Sequence, residues 1–124
     1  MPRSPAEIVT EFCALWSAPD PAVISAYFTE DAVYHNIPMD PVEGRAAIEA
    51  FVAGFLGTVD GIDFVVHRQV GEGSLVFNER TDIMRTKAGS SVELPVVGVF
   101  EVQDDKIKAW RDYFDMGALT KAFG

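Results

Sequence analysis

Arg80 and Asp82 stand two residues apart in Leu75-Val76-Phe77-Asn78-Glu79-Arg80-Thr81-Asp82-Ile83-Met84, a run that reads as a β-strand yet carries charge. Side chains two apart on a strand share a face. Asn78, Arg80, Asp82 and Met84 therefore point one way, and Phe77, Glu79, Thr81 and Ile83 the other. Further on, Asp112 shares a face with Trp110 and Phe114, which sets a carboxylate between two large aromatics. A charge buried in an apolar site costs several kcal/mol unless it is paired and hydrogen-bonded. The pattern therefore predicts that Arg80, Asp82 and Asp112 meet in one apolar pocket.

If they meet, the planar fork of arginine can hold an oxygen from each carboxylate. Two carboxylates close together bind one proton tightly, so one acid can stay protonated near neutral pH. The pair then offers a proton donor and a proton acceptor at once, as one-step addition of water requires. Tyr34 and Asn36, two apart on another short strand, could hold that water with a phenol and an amide. Singly, each piece has a plainer reading. An isolated Arg-x-Asp is commonly an exposed ion pair, Tyr34 a strand-end aromatic and Asn36 a turn former.

Positioning elements follow from periodicity. Ser4-Pro5-Ala6-Glu7 combines an N-cap serine, a proline at the first helical position and a glutamate that closes a capping box; Ile8, Phe12, Leu15 and Trp16 then recur at helical spacing. Asp20-Pro21 opens a second short helix, with Val23, Ile24, Tyr27 and Phe28 on its stripe and an end near residues 29–31. A brief strand over 32–37 is stopped by Pro38 and Pro41, which make the next segment a loop. Residues 45–56 form a third helix, with Gly57 as its terminator. Strands are expected over 62–70, 75–85, 92–102 and 106–114, joined by connections short enough for antiparallel hairpins, and 116–123 as a helical tail. Helices followed by an antiparallel meander make an α+β fold, one domain over 1–124, with a curved sheet wrapping the helices.

Composition narrows the function. The 124 residues are 48% hydrophobic with a formal net charge of −9. That is ample for one core and repels phosphate backbones, so nucleic acid is not an expected partner. No apolar run is long enough to span a bilayer, and Met1-Pro2-Arg3-Ser4-Pro5 lacks the apolar segment of a leader, so a cytoplasmic location is expected. Cys13, the single cysteine, falls in a helix as a small buried residue. His35 and His67 have no metal-ligand spacing and read as structural or surface residues. Glycine-rich phosphate loops and Gly-x-Ser-x-Gly elbows are absent from the sequence.

In order and spacing, Tyr34-His35-Asn36-Ile37-Pro38, Gly44-Arg45, Glu79-Arg80-Thr81-Asp82, Gly98-Val99-Phe100 and Trp110-Arg111-Asp112-Tyr113-Phe114-Asp115 resemble the limonene-1,2-epoxide hydrolase family, across nearly the whole chain. The resemblance implies a cone: a strongly curved, mixed, mainly antiparallel sheet closed by N-terminal helices, as in nuclear transport factor and ketosteroid isomerase. It implies Asp82 as general acid, Asp112 as general base, Arg80 as the bridge between them, and Tyr34 and Asn36 as water-positioning groups. No metal or organic cofactor is implied. The family pattern and strand parity together give Phe55, Met84, Leu94, Val96 and Phe114 as the wall of a pocket for a small hydrophobic epoxide.

The family also implies a homodimer through the outer sheet face, where Phe77, Ile83, Tyr113, Val97 and Val99 would lie. Two other readings use the same cone. One is an isomerase or cyclase with one carboxylate as base and another as acid; the other is a ligand-binding or dimer-forming module without catalysis.

Overall fold

The chain's architecture was obtained as a computed structural model, which describes residues 3–123. Helix α1 (Pro5–Ala14) starts as its sequence dictates: the Ser4 side chain accepts from the backbone of Glu7, and the Glu7 carboxylate accepts from the backbone of Ser4. Ile8, Val9, Phe12 and Cys13 bury one face of α1. A 3-10 turn (Leu15–Ser17) carries Trp16 into the core, and the short α2 (Pro21–Ser25) follows, capped by Asp20.

Strands β1 (Phe28–Asn36) and β2 (Val42–Glu43) come next, then α3 (Arg45–Phe55), β3 (Val59–Glu72), β4 (Leu75–Thr86), β5 (Ser91–Gln103), β6 (Lys106–Tyr113) and α4 (Met116–Phe123). The strands form one curved sheet in the order β2-β1-β6-β5-β4-β3. Only β1 and β6 pair in parallel; the other neighbours are antiparallel. This is the α+β cone, with the helices packed over the concave face. No helix among the described residues is long and apolar enough to cross a membrane.

Three expectations are corrected. Residues 28–31 belong to β1 rather than to the end of the second helix: β6 takes the start of the strand, where Phe28 pairs with Ile107 and the Ile107 N–H donates to Tyr27 O at 2.7 Å, and the pairing then breaks at an irregularity before it resumes at Val33. Arg45 adds two bonds to Phe28 O, at 3.0 and 2.7 Å, so pairing overrides helical spacing here. Val42–Glu43, expected within a loop, adds an edge strand to β1. Strand β3 is also longer than its apolar pattern, starting at Val59 and ending at Glu72. Gly44 stands at φ +94° before α3, a backbone state that a side chain would strain.

Register places one row of residues across five strands: Asn36 opposite Asp112, Asp112 opposite Gly98, Gly98 opposite Asn78, and Asn78 opposite Gln69. A polar row therefore crosses the middle of the sheet, and Arg80 and Asp82 extend it along β4 on the same face. Beside it, Trp110 is fully buried and stacks on Tyr34 (4.3 Å, 9°) and Phe100 (5.4 Å, 15°), with Phe12 edge-on at 5.0 Å. On the convex face, Phe77, Val97 and Tyr113 are exposed, Ile83 is half-buried and Val99 is buried.

Candidate active site

The three charged side chains picked out by strand parity lie together and are buried: Arg80 is 1% exposed, Asp112 4% and Asp82 7%. Arg80 Nε donates to Asp82 Oδ1 and Nη2 to Asp82 Oδ2, both at 2.9 Å. On the other side, Nη2 donates to Asp112 Oδ2 at 2.8 Å and Nη1 to Asp112 Oδ1 at 3.2 Å. Each carboxylate thus receives two N–H groups from one planar fork. The Phe64 ring lies under the guanidinium, with its centre 4.4 Å from Cζ.

Two further groups complete the arrangement, and sequence reading passed over both. Trp110 Nε1 donates to Asp112 Oδ1 at 2.7 Å; Trp110 had been read only as an apolar neighbour of Asp112. Asn78 Oδ1 accepts from Arg80 Nη1 at 3.1 Å. Its place on the Arg80 face was legible, and its buried position beside a guanidinium was the available signal. Gly98 is required by the same cluster. A Cβ there would collide with Arg80 Nη1 and lie 2.9 Å from both Asn78 Oδ1 and Asp112 Oδ1.

The cavity in front of the carboxylates is lined by Asp82, Asp112, Tyr34 and Asn36 and by all five wall residues expected, Phe55, Met84, Leu94, Val96 and Phe114. Ile62 and Phe64 of β3 add to it, and Trp16, Met39, Phe51, Val52 and Leu119 complete it from helices and loops whose approach strand parity does not address. Measured to the centre of a water molecule its volume is about 80 Å³, against roughly 10–15 Å³ for one water on that measure. Arg80 lies behind the aspartates rather than on this wall. Tyr34 Oη donates to Asn36 Oδ1 at 3.3 Å, so phenol and amide share one side of the cavity.

Burial lifts the Asp82 carboxyl above the ordinary aspartate value, hydrogen bonding and charge from Arg80 oppose the rise, and the Asp112 charge adds to it; the net direction is up. Burial works against the Arg80 charge too, but the two carboxylates overcome it and hold Arg80 well above the ordinary arginine value. Tyr34 is raised mainly by burial and then by Asp112, so it stays a phenol and a donor. Two carboxylates and one guanidinium carry a net single negative charge, which one shared proton would neutralise. Asp112 accepts three N–H donors and Asp82 two, so Asp82 is the better place for that proton.

Cys13, pushed up to about 12 chiefly by burial, remains a neutral thiol. His35 Nε2 lies 2.9 Å from Met39 O and holds the loop after β1, while the exposed His67 lies 2.8 Å from Thr81 Oγ1. Both histidines are outside the carboxylate cluster.

The chain belongs to the limonene-1,2-epoxide hydrolase catalytic domain family, whose sequence profile matches residues 3–124. It is 34% identical over 98 residues to the epoxide hydrolase EphG of Mycobacterium tuberculosis (strain ATCC 25618 / H37Rv), a match that covers 79% of this chain and 64% of that relative. It is also similar to a solved structure of an LEH-like epoxide hydrolase from M. tuberculosis, with TM-score 0.83, 31% identity, and 94% and 86% of the two chains covered. A Catenulispora acidiphila DSM 44928 protein with a ketosteroid isomerase-like fold superposes with TM-score 0.81 over 90% and 88% of the two chains. At 19% identity that likeness concerns the fold alone.

The raised Asp82 value fixes the sign of a stability effect. A carboxyl raised in the folded state holds its proton more tightly there than in the unfolded chain. Its stabilising contribution is full below the unfolded value and is lost as pH rises through the folded one. Asp82→Asn removes that titration. As pH rises above the ordinary aspartate value, thermal melts are expected to show the wild type losing stability relative to the variant. A difference that stays constant with pH would contradict the assignment.

Proposed function

We propose that this chain is an epoxide hydrolase that adds water directly to a small hydrophobic epoxide and releases a vicinal diol. The observation that carries the reading is one buried arginine hydrogen-bonded to two aspartates that both line an apolar cavity. Tyr34 and Asn36 hold the water, and Asp112 takes its proton as the oxygen attacks an epoxide carbon. The epoxide C–O bond breaks, and its oxygen takes the proton from Asp82. One proton has then moved from Asp82 to Asp112; its return, through water, resets the pair without a change in total charge. Removing a positioned general acid or base typically costs about 10²–10⁴-fold.

Relatedness to an M. tuberculosis epoxide hydrolase supports the substrate class. The wall residues Phe55, Met84, Leu94, Val96 and Phe114 support a hydrophobic substrate. An isomerase or cyclase on the same cone is the second reading; it gives no role to an arginine shared by two acids. The deciding assay is diol release, by chiral chromatography, from limonene oxide and cyclohexene oxide. Diol is expected from the wild type, with at least about a hundredfold loss in Asp112→Asn and an unchanged fold by circular dichroism. An Asp112→Asn variant as fast as the wild type would end the proposal.

The same reading includes a homodimer through the convex face, where Val97 and Tyr113 are a cross-strand pair and Phe77 is exposed nearby. Light scattering is expected to give twice the 13.6 kDa chain mass, and the Val97→Glu variant the mass of one chain. A wild type at 13.6 kDa would remove the dimer from the account.

A further inference from the structure

Arg80 has five N–H donors, and only four of its bonds reach the aspartates. The fifth acceptor is the neutral amide oxygen of Asn78, at 3.1 Å from Nη1, the same nitrogen that serves Asp112 Oδ1 at 3.2 Å. Asn78 is itself 2% exposed. Its Nδ2 donates to Gln69 Oε1 at 3.1 Å and makes a long contact of 3.8 Å to Cys13 Sγ. Gln69 Nε2 in turn donates to Ala6 O at 3.2 Å and to Thr10 Oγ1 at 3.0 Å, both on α1.

The direction of this relay is set at both ends. A guanidinium only donates and a backbone carbonyl only accepts, so neither amide can flip without placing two donors or two acceptors face to face.

We infer that Asn78 and Gln69 are positioning residues that fix the Arg80 fork: they anchor its Nη1 edge to helix α1, so that both aspartates are held in one plane. Neutrality at position 78 belongs to the inference. A third carboxylate on the fork would change the proton count of the cluster, whereas an amide supplies an acceptor without charge. Gly98 fits the same account, because it leaves open the space in which Arg80, Asn78 and Asp112 meet.

The inference rests on the hydration reading for its kinetic test, and a second readout makes it separable. With an epoxide substrate, Asn78→Leu, which removes the acceptor at similar volume, is expected to lower kcat by about tenfold or more with KM within about threefold. Asn78→Asp restores the acceptor but adds charge, so the basic limb of the pH profile is expected to rise by about one unit. The Asp82 carboxyl signal in a ¹³C NMR titration should rise with it. Gln69→Leu, at a half-buried position, covers the case in which Asn78→Leu does not fold, and should lower kcat with KM unchanged.

Gln69→Leu adds no charge, so it should also shift the Asp82 titration only by releasing the fork; a merely structural role would lower melting temperatures and leave kcat and the Asp82 titration in Gln69→Leu at wild-type values, and that result overturns the inference. If the wild type turns over no epoxide, the Asp82 titration still decides. A shift in the uncharged Gln69→Leu variant upholds the positioning role while the hydration reading falls; an unmoved titration there ends the positioning role as well.

Discussion

A guanidinium with no solvent contact must find an acceptor for each of its five N–H groups, and much of this molecule follows from meeting that demand at Arg80. Asp82 lies two residues along the same strand, Asn78 two residues the other way, and Asp112 two strands over. The strand between must carry no side chain where they converge, and Gly98 stands there. The cost of burying the charge is offset only while all these partners stay in register. A one-residue slip in β4 would turn Arg80 and Asp82 outward and bring Glu79 and Thr81 in.

The apolar surroundings do more than fill space. Trp110 is fixed by Phe12, Tyr34 and Phe100 stacked or set edge-on around it, and its N–H is thereby aimed at Asp112. Tyr34 is held by the same stack with its hydroxyl at Asn36. Core packing and site geometry are thus one set of contacts. The low polarity that raises Asp82 comes from the residues that line the cavity.

Much of this was legible in the sequence because strand parity is a strict rule. Alternation alone put Arg80, Asp82 and Met84 on one face and grouped Asp112 with Trp110 and Phe114, and the structure has these residues at one cavity or directly behind it. What stayed hidden depends on pairing between distant segments. Phe28 looks like the last residue of a helical stripe until its pairing with Ile107 of β6 is known. The roles of Gly98, Asn78 and Gln69 emerge only when three strands are aligned, and the indole bond to Asp112 only when the ring is stacked. Wall residues from helices, such as Phe51 and Leu119, depend on how α3 and α4 approach the sheet.

The proposed chemistry has water, not an aspartate, attack the epoxide carbon. Single turnover in H₂¹⁸O with enzyme in excess tests this most directly. Direct addition predicts one ¹⁸O in the diol of the first turnover and no label in the protein. Unlabelled diol in that turnover, with ¹⁸O appearing in Asp82 or Asp112, would mean a covalent ester intermediate and would contradict the account.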